Sequence, residues 1–288
     1  MSEFASWVGR QTAQTDMVDD EQLTRWFATF DLPRSFDKQV PQGFHFCLCL
    51  PEARTDQLGE DGHPIRDEDP DNIYPPFALP RRMWAGSSIQ FLRPLNFPDT
   101  VERESTITAI SEKEGKSGKL AFTEIEHSLW ADGKEAIRET QTLVYREAAD
   151  KRAPLSPPEP TGQAFDPSDW AAHRSLVPDA RLLFRYSALT FNTHRIHYDA
   201  PYAREVERYR GLVVHGPLIA SLLLQLAARE LGDNAIASFE FRGVSPAIAD
   251  EELHLAIRPE SAGDHKRYEL AAFASDGRQV TKASAIAR

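Results

Sequence analysis

The amino-acid sequence predicts an α+β fold in which antiparallel sheet encloses a buried helix. Residues 83–147 of the 288-residue chain form alternating apolar and polar segments separated by tight turns such as Asp132-Gly133. Residues 218–231 are apolar on almost every side, which is typical of a buried helix. After Gly232 the alternating pattern returns, so the sequence predicts that helix and sheet share one core.

The first half opens with a predicted short helix over residues 19–33. Its apolar residues recur at helical spacing: Leu23, Trp26, Phe27 and Phe30. Residues 44–50, FHFCLCL, are predicted to form a strand, and they contain both cysteines of the chain, Cys47 and Cys49. Two free thiols indicate a reducing compartment. The acidic stretch 51–71 is predicted to be a solvated loop, because charge runs usually face water.

The second half repeats the plan of the first. Residues 181–192, RLLFRYSALTFN, are predicted to form a strand, and a loop with a short helix follows over 194–209. The buried helix and four further predicted strands complete this half; the strands lie over 235–246, 252–261, 268–275 and 279–288. The first half shows no equally apolar helix. If the halves are duplicates, the first is degenerate and has lost its central helix.

A proline-rich stretch divides the two halves. Residues 151–168 cannot sustain helix or sheet pairing, and each flank has the size of an ordinary domain. We therefore predict an N-terminal domain over residues 1–150, a linker over 151–168 and a C-terminal catalytic domain over 169–288.

Charge and hydropathy exclude several classes of partner. A net charge of -11 disfavours nucleic acids and anionic membrane surfaces, which attract Lys- and Arg-rich proteins. The N-terminal segment lacks the basic and apolar regions of a signal peptide. The longest apolar stretch, 218–228, is shorter than the ~18–20 residues that cross a bilayer. We expect a soluble cytoplasmic protein that binds neither nucleic acid nor membrane.

Three histidines, His194, His197 and His215, form the main candidate site. They could bind a metal, transfer protons or simply pack. Neither their spacing nor their context matches a zinc motif such as HExxH, so we predict no metal. His215 precedes Gly216 and Pro217 at the start of the buried helix, where bare N–H groups and the helix dipole can stabilise a developing oxyanion. A histidine on the preceding loop could then transfer a proton, which suits addition of water to an α,β-unsaturated thioester.

Two sequence segments resemble a known family. IHYDAPYA at 196–203, followed by GLVVHGPLIASLL at 211–223, resembles the MaoC-like, R-specific enoyl-CoA hydratases. The resemblance implies the hot-dog fold, an antiparallel sheet wrapped around one long helix. The chain length, the degenerate first half and FNTHRIHYD at 191–199 resemble the double hot-dog subgroup. That subgroup includes itaconyl-CoA and mesaconyl-CoA hydratases and mitochondrial hydroxyacyl-thioester dehydratases.

The resemblance assigns roles to individual residues. His197 matches the family's catalytic histidine, Gly216 matches the glycine whose N–H holds the thioester carbonyl, and His215 is its neighbour. The family aspartate falls on Asn192, and the family Asn-Pro pair falls on His194 and Arg195. An amide can orient a water molecule but cannot act as a base. Either His197 works alone, or another group such as His194 replaces the carboxylate.

The predicted substrate follows from the presence of Asn192 in place of the family aspartate. Itaconyl and mesaconyl thioesters carry a free carboxylate, for which an arginine is wanted nearby. Arg195 is the local candidate, and Arg81, Arg82 and Arg93 are candidates from the first half.

We predict a hydratase that converts itaconyl-CoA or mesaconyl-C4-CoA to citramalyl-CoA, with coenzyme A only as part of the substrate and no other cofactor. The alternatives are a 3-hydroxyacyl-thioester dehydratase of fatty-acid synthesis, a thioester hydrolase and a non-catalytic acyl-CoA-binding module. A homodimer is compatible with all of these.

Overall fold

The computed structural model describes residues 4–34, 38–69, 72–115, 118–162, 164–260 and 266–288. The strands are β1 (Gln11–Met17), β2 (Arg81–Phe91), β3 (Thr100–Gly115), β4 (Gly118–Ala131), β5 (Lys134–Arg146), β6 (Ala172–Leu176), β7 (Ile236–Gly243), β8 (Leu253–Pro259), β9 (Arg267–Ala274) and β10 (Gln279–Ala287). The α-helices are α1 (Asp20–Thr29), α2 (Ala180–Leu189), α3 (Ala200–Glu205) and α4 (Gly216–Leu231).

Within the described part of the chain, ten strands form one sheet in the order β1-β3-β4-β5-β2-β7-β10-β9-β8-β6. Each half contributes five strands, and the two sets have the same internal order when read from opposite edges of the sheet. They meet where β2 pairs antiparallel with β7, with Ser88 opposite Glu240. Every strand pairing is antiparallel, as the sequence predicts, and the halves are structural duplicates joined edge to edge.

Helix α4 lies at the centre of the core, as its apolar sequence predicts. Leu218 and Leu223 are fully buried, and Ser221 on the same helix is buried too. Ser221 satisfies its hydroxyl internally by donating to the Pro217 carbonyl at 2.9 Å. The helix ends at Gly232, whose φ of 101° an L side chain rarely adopts. The second-half strands β7, β8, β9 and β10 pack around it.

The first half replaces this helix with a single short turn. The N–H of Val40 bonds the Leu95 carbonyl at 2.9 Å, and the N–H of Val214 bonds the Ala247 carbonyl at 3.0 Å, so the chain enters the core in the same way in both halves. After Val214 comes α4, whereas after Val40 the chain forms only the 3₁₀ turn Phe44–Cys47. The predicted degeneracy of the first half is therefore confirmed in the described residues.

The strand predicted over residues 44–50 is wrong. Five of these seven residues are buried, and the turn begins at Gly43, whose φ is 98°. A Cβ on Gly43 would lie 3.4 Å from the Ser221 hydroxyl, so the turn packs against α4. An alternating sequence buried on all sides cannot be distinguished by pattern from a strand.

The strand predicted over residues 181–192 is also wrong, because this segment contains α2. Asp179 caps the helix by accepting the N–H of Leu182 at 3.0 Å. Leu183, Tyr186 and Leu189 are buried at helical spacing. The helix predicted in the first half, α1, has the same design with Asp19 as its cap. The edge strands β1 and β6 escaped prediction because their residues are mostly polar.

The proline-rich stretch packs on the second half. Ser156 exchanges backbone hydrogen bonds with residues 208 and 210, at 2.8 and 3.0 Å. Phe165 stacks on His254 and Phe273, with ring centroids 4.8 Å apart in both cases. The domain boundary at 151–168 stays a prediction. Among the described helices, none is long and apolar enough to span a bilayer.

We expect Leu223→Ala to lower the free energy of unfolding by about 2–5 kcal/mol, because Leu223 is fully buried in α4. The control is Leu92→Ala, since Leu92 is 45% exposed and its truncation should cost less than about 0.5 kcal/mol. Urea unfolding measures both values. Equal losses in the two variants would contradict the central place of α4.

Candidate active site

One cavity of about 1180 Å³ brings residues of both halves together. Five of the predicted site residues line it: Asn192, His194, His197, His215 and Gly216. The 3₁₀ turn Arg195–His197 and the first turn of α4 place them there. The structure therefore brings together the histidines that the sequence separates by some twenty residues.

The start of α4 faces this cavity. A Cβ on Gly216 would come no closer than 4.0 Å to the Trp84 carbonyl oxygen, so the glycine leaves the backbone open toward the cavity. The N–H groups of a first helical turn have no partner within their helix. His215 occupies the N-cap position, and its Nε2 lies 2.9 Å from the Ser187 hydroxyl. This arrangement can hold a carbonyl oxygen that gains negative charge.

The geometry of His197 defines its tautomer. Its Nδ1 lies 2.7 Å from the Val213 carbonyl oxygen, which only accepts, so Nδ1 carries the proton and Nε2 carries a lone pair. The ring stacks on His215 with centroids 3.6 Å apart and planes 19° apart. Burial lowers the pKa of His197 to about 4, so the ring is neutral at pH 7 and available as a base.

Asn192 and His194 stand next to His197. The Asn192 Oδ1 accepts the backbone N–H of His194 at 2.9 Å, so the amide shapes the turn that carries the histidines. The His194 ring lies edge-on to His197, with centroids 5.3 Å apart. Burial, together with the neighbouring histidines, holds the pKa of His194 well below its ordinary value.

Two residues of the site, Asp61 and His63, were missed by the sequence analysis. They belong to the acidic stretch that was predicted to be solvated, and for this segment the prediction is wrong. His63 lines the cavity, and its ring lies 4.1 Å from that of His194. Its Nδ1 bonds the Asp61 carboxylate at 2.8 Å. The only local signal is a histidine between glycine and proline in an acidic run, which is too weak to identify a site.

Backbone contacts fasten this segment to the histidine turn. A Cβ on Gly62 would lie 1.9 Å from the Thr193 carbonyl oxygen, so only glycine permits the approach. The Thr193 hydroxyl donates to the Gly62 carbonyl at 2.5 Å, and the N–H of Arg195 donates to the Asp61 carbonyl at 2.9 Å. The first half therefore completes a site whose predicted catalytic residues, Asn192, His194 and His197, all lie in the second half.

Ligand atoms of Asp61, His63 and His194 lie within 4.8 Å of one another, which raises the question of a metal. The surroundings fit a cation poorly. Burial and, after it, the positive charge of Arg82 lower the pKa of His63 to about 4, so a guanidinium already lies near the cluster. That the site needs no metal stays a prediction.

Two predicted substrate-binding arginines lie outside the cavity lining. Arg195 pairs with the Asp199 carboxylate at 2.7 Å and also donates to the Glu60 carbonyl. Arg93 donates to the carbonyls of residues 131 and 134. Their guanidinium groups thus serve the protein's own contacts, which do not favour the predicted substrate-binding role; that role stays a prediction. Sequence proximity alone does not determine which way a side chain points.

Arg82, named in the sequence analysis as a first-half candidate, does line the cavity. Its Nη1 is buried and has no hydrogen-bond partner among the described residues. Its guanidinium lies 4.8 Å from the centre of the Tyr74 ring. A buried N–H donor without a partner is costly, so this group favours an anionic ligand.

Comparison with known proteins identifies the family. Residues 43–249 match the family described as hydroxyacyl-thioester dehydratase type 2, and this range contains every site residue named above. The chain belongs to this family. It is 40% identical over 286 residues to the mesaconyl-C(4)-CoA hydratase of Chloroflexus aurantiacus. The alignment covers 98% of this chain and 97% of the relative.

Two solved structures share the fold of this chain. A MaoC-like dehydratase superposes with a TM-score of 0.74 at 13% identity, covering 98% of both chains. A Mycobacterium tuberculosis protein described as having a double hotdog fold superposes with a TM-score of 0.58 at 15% identity, covering 98% of this chain and 96% of that one. The predicted double hot-dog fold and the MaoC-like resemblance are confirmed.

We expect Gly62→Ala to abolish most activity, because the added Cβ would displace the segment that carries Asp61 and His63 from Thr193. Gly9→Ala is the matched control: its φ of +92° resembles the +87° of Gly62, but a Cβ there meets nothing within 4 Å. Both variants carry the same backbone strain. Steady-state assays that showed equal activity in the two would contradict the importance of this contact.

We expect the protein to lose stability as pH falls from 7.5 to 5. Burial lowers the pKa of His45 and His127 to about 3 and that of His63 and His197 to about 4, all below 6.5. As the pH falls, the unfolded chain therefore binds protons that the folded chain does not. Each histidine then lowers the free energy of unfolding by about 1.4 kcal/mol per pH unit.

Glu139 opposes this trend, because burial raises the pKa of its carboxyl from 4.5 to about 7, which favours the folded state at low pH. The four histidines outweigh it. Calorimetry should show a Tm lower by at least about 5 °C at pH 5 than at pH 7.5. A Tm that is constant or rises on acidification would contradict this prediction.

Proposed function

We propose that this protein is a hydro-lyase that adds water to an α,β-unsaturated acyl-CoA thioester. The carrying observation is the neutral His197, which lines the same cavity as Gly216 and stacks on His215, the residue directly before Gly216. The 40% identity to a mesaconyl-C(4)-CoA hydratase along nearly the whole chain supports the same reaction class. We favour a branched C5 dicarboxylic substrate, itaconyl-CoA or mesaconyl-C4-CoA, hydrated to citramalyl-CoA.

Each residue of the site has a part in this reaction. The first N–H of α4, at Gly216, holds the thioester carbonyl, whose oxygen gains negative charge as water adds to the β-carbon. Nε2 of His197 takes a proton from the water and returns it to the α-carbon. His215 supports the His197 ring by stacking, and Asn192 holds the turn in shape. His194 fills the space between His197 and the first-half segment.

The unpartnered donor of Arg82 favours a dicarboxylic substrate. It supplies a buried donor with no partner in the described residues, close enough to the histidines for its charge to lower, with burial, the pKa of His63. A carboxylate on the acyl group would satisfy that donor through a charge-assisted hydrogen bond. A plain enoyl group would leave it unsatisfied.

The reaction class is tested by incubating the purified protein with itaconyl-CoA, mesaconyl-C4-CoA and crotonyl-CoA and detecting water addition by mass. The proposal is supported if the wild-type protein hydrates a dicarboxylic thioester and the rate falls at least about 100-fold in His197→Ala. Turnover of crotonyl-CoA alone would favour a 3-hydroxyacyl-thioester dehydratase of fatty-acid synthesis. Turnover of none of the three would leave an acyl-CoA-binding module as the better explanation.

The role of Arg82 predicts substrate discrimination. Arg82→Gln should raise KM for mesaconyl-C4-CoA about 10-fold or more and change KM for crotonyl-CoA little, because only the former offers a carboxylate. Arg93→Gln is the control, since Arg93 bonds backbone carbonyls outside the cavity lining. Equal effects of Arg82→Gln on both substrates would remove the structural support for a dicarboxylic acyl group.

A further inference from the structure

At residue 192, where the resemblance to the MaoC-like hydratases implies an aspartate, this chain has an asparagine. Asn192 stands at that position, and its Oδ1 already accepts the N–H of His194. A neutral amide cannot take a proton from water at neutral pH. A water molecule in the cavity has two O–H groups, and His197 Nε2 can receive only one of them. A second acceptor is needed to orient the water toward the β-carbon.

Asp61 and His63 have the geometry of such an acceptor. Because a carboxylate accepts, the 2.8 Å bond places the proton of His63 on Nδ1 and leaves a lone pair on Nε2. Burial works against ionisation of Asp61, but hydrogen bonds from His63 outweigh it and hold the pKa of this carboxyl below its ordinary value. His63 lines the cavity, whereas Asp61 does not. The pair thus presents an imidazole to the cavity with a carboxylate on its far side.

The rings form a continuous series across the two halves. Centroid distances are 4.1 Å from His63 to His194, 5.3 Å from His194 to His197 and 3.6 Å from His197 to His215. His63 is close enough for its charge to contribute to the lowered pKa of His197, after burial and against the bond to the Val213 carbonyl. His63 and His197 are therefore both neighbours of His194, and the Nδ1–H of each ring donates to a fixed acceptor.

We propose that His63, held by Asp61, replaces the missing carboxylate by accepting the second hydrogen of the reacting water. His63 is then a catalytic residue, because it touches a reacting atom, and Asp61 is a positioning residue that acts through it. The proposal rests on the proposed hydration but not on which acyl group is hydrated.

The step balances with the groups at hand. Water donates one hydrogen to Nε2 of His197 and the other to Nε2 of His63. As the water oxygen bonds to the β-carbon, its first proton moves to His197 and the electron pair of the double bond moves toward the thioester oxygen at Gly216. The α-carbon then takes the proton from His197, which leaves a hydroxyacyl thioester. Positive charge that builds on the water is stabilised by His63 and, through it, by the Asp61 carboxylate.

The experiment compares single variants of the full chain on a thioester that the wild-type protein hydrates. We expect His63→Ala to lower kcat about 100-fold and Asp61→Asn at least about 10-fold, with KM changed less than about threefold. His63→Gln should retain more kcat than His63→Ala, because its amide oxygen can still accept a hydrogen bond. Asp56→Asn is the matched control: Asp56 lies on the same acidic stretch but is exposed and pairs with Arg54.

The outcomes are distinct. A loss in kcat with an unchanged KM and Tm, graded in the order His63→Ala, His63→Gln, Asp56→Asn, would support the proposal. The proposal is overturned if the wild-type protein hydrates the thioester and His63→Ala and Asp61→Asn are both as active as Asp56→Asn. The hydratase function would then remain. A fall in Tm that matches the loss of activity would also overturn it, in favour of a structural role. Absence of wild-type turnover on every thioester would overturn both proposals together.

Discussion

The burial of helix α4 is the constraint on which the rest of the structure depends. An apolar helix that is buried over most of its length has to be enclosed, and the antiparallel sheet does this. Enclosure places the first turn of the helix inside the protein, where its N–H groups meet a cavity and not bulk solvent. The open backbone at Gly216, the stacking of His215 on His197 and the low pKa of His197 all follow from that placement.

The loss of the matching helix in the first half changes the character of that half's core. Across the first-half sheet, Ser105, His127 and Glu139 lie side by side in register, and all three are buried. Across the second-half sheet, the row Ile257, Leu270 and Ala283 is apolar and packs around α4. Where no helix fills the sheet, the cavity extends over His127 and Glu139. In this duplicated fold the second half therefore encloses α4, and the first half leaves space for the cavity.

The site is assembled across the duplication. A glycine at residue 62 lets the first-half chain approach the Thr193 backbone, and that approach puts His63 against His194. Rigid backbone contacts of this kind hold side chains more firmly than a solvated loop could. This backbone contact therefore fastens the Asp61–His63 segment to the residue that directly follows Asn192.

The sequence by itself determined the antiparallel sheet, the buried helix, the degenerate first half and the cluster of His194, His197 and His215, because periodicity and motif spacing are local properties. The strand predicted at 44–50 was wrong because burial removes the contrast between two faces. The strand predicted at 181–192 was also wrong: Asp179 caps a helix there, and Leu183, Tyr186 and Leu189 have the same helical spacing as the apolar residues of α1. Only the tertiary structure decided that His63 and Arg82 line the cavity while Arg93 and Arg195 do not. Contacts between residues some 130 positions apart depend on how the two halves pair, and no single stretch of sequence records that pairing.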